Sequence, residues 1–142
     1  MQNISLSVDA IVFYRHQGSQ KVLLIQRKNP PFQDQWALPG GFVENDEDLQ
    51  QAAIRELKEE TGIEIDNMKQ VHAFGSPERD PRQRVVTIAY YSVLSQKPES
   101  KAASDAKDAK WFNIDKLPEM AFDHLRILQH TMDLSHAHAS NI

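Results

Sequence analysis

The sequence predicts a mixed α/β fold, with helices on the faces of a mixed β-sheet, and three observations carry that prediction. Stretches rich in β-branched and aromatic residues flank a single acidic segment whose apolar residues recur with helical period. Their order along the chain is two strands, a helix, several strands and a closing helix. With 142 residues, 40% of them apolar and 25% charged, the chain holds enough apolar material for one core and one domain over 1–142.

Residues 4–14 partly alternate, Gln17-Gly18-Ser19 makes a turn, and KVLLIQR at 21–27 completes a predicted hairpin. Two prolines break NPPFQDQ, 29–35, into a loop. A short apolar piece, Trp36-Ala37-Leu38, then runs into Pro39-Gly40-Gly41. Beyond it the pattern becomes helical, with Asn45 or Asp46 as the expected N-cap, acids filling the first turn, and Gly62 as the αL glycine at the end. Strands are expected at 63–65, 71–74 and 85–94, separated in part by the polar loop SPERDPRQR. A second polar loop, QKPESKAASDAKD, leads to a short strand at 110–112; Leu117-Pro118 stops a helical turn, and apolar positions 121, 122, 125, 128 and 132 suit a closing helix over 121–134. The tail SHAHASNI is expected to fray.

A net charge of -4 and a pI near 5.8 leave no basic footprint for a nucleic-acid duplex. No cysteine is present, so disulfides and thiolate metal sites are excluded. The start MQNISLSVDA has neither a charged n-region nor an apolar h-region, and no run reaches membrane-spanning length, so a cytoplasmic location without a membrane partner is expected. A homodimer is left open.

The acidic helix poses the central question. At about 100° per residue Glu56, Glu59 and Glu60 share a sector roughly 100° wide that overlaps the apolar stripe of Leu49, Ala53 and Leu57. Glu60 should therefore press toward the core, and like charges at these spacings repel unless something cationic offsets them. A solvated face balanced by Arg55 and Lys58 is one reading. The other is a hard divalent ion: Mg²⁺ prefers oxygen ligands and keeps waters and substrate phosphates in its shell. Gly40 and Gly41, without Cβ atoms, let the backbone approach such an ion, and the Gly40 carbonyl can itself be a ligand.

From Gly41, through Glu47, to Arg55-Glu56-Leu57-Lys58-Glu59-Glu60-Thr61-Gly62-Ile63, nine specified positions over 23 residues are filled as in the Nudix box, so the chain resembles the Nudix hydrolase family. KVLLIQR, WALPGG and the stretch from Trp111 to Pro118 extend the resemblance over most of the chain. It implies an α/β/α sandwich around a mixed sheet and Mg²⁺-dependent hydrolysis of a nucleoside diphosphate linked to another moiety, with Mn²⁺ as a substitute ion. Carried over by position, Glu59, Glu60 and the Gly40 carbonyl bind metal, Glu56 is a ligand or the base, and Arg55 orients Glu56. Gly41, Glu47 and Gly62 are structural, Glu47 through a basic partner. A loop carboxylate also assists in many members; Glu99, Asp105 and Asp108 are candidates here, and Asp105 is the choice.

The string FGSPERDPRQRVVTIAYY, 74–91, concentrates Arg79, Asp80 and Arg82 around a proline, and arginine forks suit phosphates. It resembles the RDPR loop of an ADP-ribose pyrophosphatase branch, as do Pro77, fifteen residues after Gly62, and Ala121-Phe122-Asp123-His124. The implied reaction is ADP-ribose to AMP and ribose 5-phosphate, with Arg27, Trp36, Arg79, Asp80, Arg82 and His124 touching a small-molecule nucleotide; Phe32 and Phe74 are further candidates to stack the base. The alternatives are hydrolysis of another nucleotide, such as a modified triphosphate or sugar nucleotide, and a non-catalytic ADP-ribose sensor.

Overall fold

A computed structural model describes residues 2–98 and 106–140, with side chains over 2–98 and 108–135. Its axis is β1, Ser5–His16, in which residues 8–13 are all buried. A strand buried on both faces reads as a near-continuous apolar run rather than a clean alternation, which is how VDAIVF reads apart from Asp9. β2, Ser19–Arg27, pairs back on it antiparallel, His16 opposite Ser19. The two residues between, Gln17 and Gly18, both have positive φ, at 50° and 77°, as a twist-matched two-residue hairpin turn requires.

The remaining elements are β3 (Trp36–Ala37), β4 (Gly40–Phe42), α1 (Leu49–Thr61), β5 (Lys69–Phe74), β6 (Val85–Leu94), β7 (Ala106–Asn113) and α2 (His124–Ser140). Among the described residues the seven strands form one mixed sheet. β6 lies parallel to β1 along one edge, from Ser5 opposite Val85 to Tyr14 opposite Leu94. The other edge of β1 is divided. Its end, from Phe13 to His16, pairs with β2, whereas Ser7 to Asp9 pair with β4. β2 in turn gives Ile25 and Gln26 to β3. The hairpin thus forks, and the β3–β4 segment fills the fork.

α1 covers one face, where Ala52, Ala53 and Leu57 pack on Val8, Ala10, Val12 and Leu23. α2 covers the other, where Ile127 and Leu128 pack with Ile11, Phe13, Val22, Leu24 and Leu38. This is the expected α/β/α sandwich. No helix of the described residues is long and apolar enough to cross a membrane.

Several local expectations are corrected. α1 is capped by Asp48, not Asn45 or Asp46, and its first turn holds no acid. The chain at 44–47 is instead turned on itself, with Glu47 Oε1 accepting from the Glu44 N–H at 2.9 Å. Asp48 then accepts from the Leu49 N–H at 2.8 Å and donates its own N–H to Gln51 Oε1 at 3.0 Å. Gly62, at φ 77°, closes the helix by donating to the Lys58 carbonyl. Residues 63–65 are no strand, because Ile63 is spent on the α1-side core. β4 was not foreseen, and β7 is longer than 110–112. α2 starts at His124 rather than 121, since the Ala121 N–H donates to the Trp36 carbonyl and Phe122 sits at φ 54°. It also continues through the expected frayed tail to Ser140, a stretch with no proline or glycine to stop it.

The cap is open to test. Asp48→Ala should cost about 1 kcal/mol in chemical denaturation, and Asn45→Ala and Asp46→Ala less than about 0.5 kcal/mol.

Candidate active site

β4 brings the helix and the sheet together at a glycine pair. A Cβ on Gly41 would lie 2.6 Å from the carboxyl of Glu56, and one on Gly40 would lie 2.2 Å from the Val8 carbonyl and 2.6 Å from Asp9 Oδ1. The two glycines therefore face opposite sides of the sheet, and only at glycine can α1 carboxylates come this close. Glu60 Oε2 accepts the Gly40 N–H at 3.2 Å and is buried, as its position on the wheel implied.

Asp9 is the acid that sequence reasoning missed. It lies buried in the middle of β1, with Oδ2 accepting from Thr87 Oγ1 at 2.7 Å and Oδ1 at 3.6 Å from His124 Nε2. The one signal for it is an acid inside an apolar strand. Burial first, and then the Glu56 charge, push the Glu60 carboxyl up to about 9. Burial likewise raises Glu56.

Behind this pair stands Arg55. Its Nη2 and Nε meet Glu47 at 2.6 and 2.8 Å, and its Nη1 donates to Glu56 Oε1 at 2.9 Å and Glu59 Oε2 at 3.1 Å. One guanidinium thus joins Glu47, Glu56 and Glu59. Hydrogen bonds from Arg55 hold the Glu47 carboxyl down at about 2.

Glu56, Glu60, Gly40, Gly41 and Asp9 line a cavity of about 300 Å³, and Arg27, Arg79, Asp80, Arg82, Phe122 and His124 line it too. The arginines differ in their partners. Arg79 is buried and its fork grips Asp123 at 2.8 and 3.0 Å. Arg82 pairs with buried Asp80 at 2.8 Å, and its guanidinium stands 5.4 Å from the Phe122 ring and 5.9 Å from Phe42. Burial alone would raise the Asp80 carboxyl; the hydrogen bonds from Arg82 bring it below its usual value. Arg27 donates to the Pro31 and Asn29 carbonyls and lies 4.9 Å from Phe122, and among the described residues no carboxylate pairs with it.

Other candidates lie elsewhere. Trp36 packs against Phe112 in the α2-side core and does not line the cavity. Phe32 packs on Phe122, and Phe74 lies beside His130. Glu59 is half exposed on the flank of the helix, outside the lining. His124 is buried, its Nδ1 accepting from the Leu38 N–H at 3.0 Å, and burial lowers its pKa. Asp105 and Glu99 fall outside the described residues; Asp108 accepts from the Ala109 N–H and does not line the cavity.

Comparison with known proteins decides the family, for the NUDIX domain model matches residues 5–131. The chain belongs to the Nudix family. This Nudix chain is 42% identical over 129 residues to the ADP-ribose pyrophosphatase of Methanocaldococcus jannaschii, which covers 90% of it and 73% of that protein. It is 38% identical over 128 residues to the ADPR responsive transcriptional repressor NtrR of Acinetobacter baylyi, matching 87% of this chain and spanning 51% of the repressor. Among solved structures, the NUDIX domain of Shewanella oneidensis NrtR complexed with ADP ribose superposes with a TM-score of 0.87 at 33% identity, covering 94% of this chain and 89% of that one.

Two outcomes follow from the geometry. Gly41→Ala meets the mobile end of Glu56, so it should fold with a near-normal Tm but lose at least about tenfold in turnover, whereas Gly40→Ala meets backbone and should lower Tm sharply. A Gly41→Ala variant with full activity would show that Glu56 need not stand where it does.

Glu47 has a depressed carboxyl, so its contribution is fully present above about 4.5 and is lost as pH falls through about 2. Glu47→Gln should therefore melt below wild type at neutral pH, with the gap closing progressively from pH 4.5 downward. A gap independent of pH would sink the assignment.

Proposed function

We propose that the chain hydrolyses the pyrophosphate bond of ADP-ribose to AMP and ribose 5-phosphate, with Mg²⁺ as the physiological ion and Mn²⁺ as a substitute. The observation that carries the reading is the cavity itself, whose lining combines the Glu56 and Glu60 carboxyls with the guanidinium groups of Arg27 and Arg82. The likeness to an ADP-ribose pyrophosphatase at 42% identity supports the choice of substrate.

The donors fit a hard ion. They are all oxygens, and the repulsion between the Glu56 and Glu60 carboxyls would be relieved by a cation. Among the described residues no three acids or histidines converge on a ready-made cage. Few protein ligands, with waters and substrate oxygens completing the shell, is the arrangement Mg²⁺ favours. Glu56, Glu60 and the Gly40 carbonyl would hold it, with Glu59 joining from the flank. When bound, the ion neutralises phosphate oxygens and makes a coordinated water more acidic.

The chain's own groups do the rest. Glu56 takes the proton from the attacking water as its oxygen bonds to phosphorus and the bridging P–O bond breaks. Arg55 keeps that carboxylate oriented through its Nη1 hydrogen bond. Arg27, which has no carboxylate partner among the described residues, meets the diphosphate, and Arg82 adds its charge while Asp80 fixes its direction. These contacts hold the phosphorus near the attacking oxygen.

A sensor is the second reading, favoured by the 38% identity to an ADPR responsive repressor. Incubation with ADP-ribose and millimolar Mg²⁺, followed by chromatography for AMP, separates the two. We expect AMP in wild type, none in excess EDTA, and a loss of at least about a hundredfold in Glu60→Gln with the fold intact. Tight binding of ADP-ribose with no AMP after hours would establish the sensor instead.

A further inference from the structure

Residues 121–124, AFDH, supply Phe122 and His124 to the cavity lining, yet none of the four has a reacting role in the proposed chemistry. On the acidic side, the Ala121 N–H donates to the Trp36 carbonyl at 2.8 Å, and the Trp36 N–H donates to the Glu119 carbonyl at 3.1 Å. These bonds fasten β3. His124 fastens the next turn, taking the Leu38 N–H on Nδ1 at 3.0 Å. Because Nδ1 is an acceptor, the hydrogen of the neutral ring lies on Nε2, which faces Asp9 Oδ1 at 3.6 Å. Gly40 follows two residues after Leu38, so this bond acts with the pairing of β4 on β1 to fix where the glycine pair begins.

On the cationic side, Asp123 receives both Nε and Nη2 of Arg79, a bidentate pair formed across 44 residues of sequence. Arg79 therefore cannot offer that fork to a ligand; it anchors the loop from which Asp80 and Arg82 project. Phe122 lies with its ring under the guanidinium groups of Arg27 and Arg82, at 4.9 and 5.4 Å. Its φ of 54° is one that a bulky side chain adopts only when the surroundings hold it there. Four consecutive residues thus make four different attachments, to β3, to the arginine stack, to the 75–84 loop and to the glycine turn.

We propose that residues 121–124 are a positioning strap that keeps the carboxylate-bearing and arginine-bearing parts of the cavity lining in register: Asp123 sets the arginine-bearing part through Arg79, and His124 sets the Gly40 turn through Leu38. The proposal rests on the reading of the cavity as a diphosphate site. Its consequence is a division of labour within two adjacent residues. Loss of the Asp123 contact misplaces groups that bind the substrate, whereas loss of the His124 contact misplaces groups that act on it.

The test is steady-state kinetics with ADP-ribose at saturating Mg²⁺ on Asp123→Ala, Arg79→Ala, their double variant, His124→Ala and His124→Asn, each measured well below its own Tm. Asp123→Asn replaces Asp123→Ala should the latter not fold. We expect Asp123→Ala to raise KM about tenfold with kcat within about twofold, and the double variant to be no worse than either single one. His124→Ala should lower kcat at least about tenfold with a smaller change in KM, and His124→Asn, which restores an acceptor for the Leu38 N–H, should recover most of the loss. Equal changes in both parameters for both positions, or a lowered Tm with wild-type kinetics, would overturn the strap. Calorimetric Kd for ADP-ribose repeats the Asp123 arm without turnover. A wild type that binds but does not hydrolyse thus defeats the enzyme reading alone, while an Asp123→Ala Kd equal to wild type defeats the strap.

Discussion

A carboxyl buried beside two others is costly, and much of this fold can be read as the arrangement that tolerates it at Glu60. Desolvation disfavours its charge, and Glu56 and Asp9 disfavour it further. What offsets the cost is distributed. The Gly40 N–H points at one oxygen of Glu60, Thr87 satisfies Asp9 from the neighbouring strand, and Arg55 answers Glu56, Glu59 and Glu47 together. The divided edge of β1 creates the opening in which these groups meet, because a sheet paired continuously from β1 to β2 would leave no place for the glycine pair. Such concentrated repulsion in an otherwise ordinary core is a feature that stability alone does not call for.

The arginine-bearing part of the cavity lining solves a different problem, that of holding several arginines close together. Each is treated differently: Arg79 is neutralised by Asp123 and buried, Arg82 is directed by Asp80, and Arg27 is left to backbone carbonyls. The Phe122 ring offers an electron-rich face to two of the guanidinium groups, those of Arg27 and Arg82. Charge therefore faces the cavity selectively, and a count of arginines in the loop overstates the number free to meet an anion.

The sequence made the helix face legible because helical geometry is regular. Spacing alone put Glu56 and Glu60 together and pressed Glu60 inward, and Gly62 was recognisable as a terminator. The mixed α/β class, with helices on the faces of a mixed sheet, followed from the alternation of strand-like and helix-like segments, and the resemblance to the family implied the sandwich. What could not be read was set by contacts between distant residues. Asp9 is one acid in an apolar run, and nothing local says that Thr87 and His124 await it. Arg79 looked like a ligand until Asp123, far along the chain, took its fork. Trp36 looked free to stack on a base, but pairing of β3 with β2 turned it against Phe112. The helix start was misjudged because Glu47 was engaged by Arg55 and Glu44 rather than by a first helical turn.

The parallel pairing of β1 with β6 has a bearing on how the molecule is assembled in time. Its contacts join residues about 80 positions apart, and the Thr87–Asp9 hydrogen bond spans 78. Closing so long a loop exacts its entropy before any pairing rewards it, so this junction is kinetically remote from the local events that form the hairpin and α1. The floor of the cavity is built on that junction. A chain that has folded its signature helix but not yet zipped its two central strands would carry every glutamate of the box and still have no site, and the appearance of activity during refolding would report long-range closure, not helix formation.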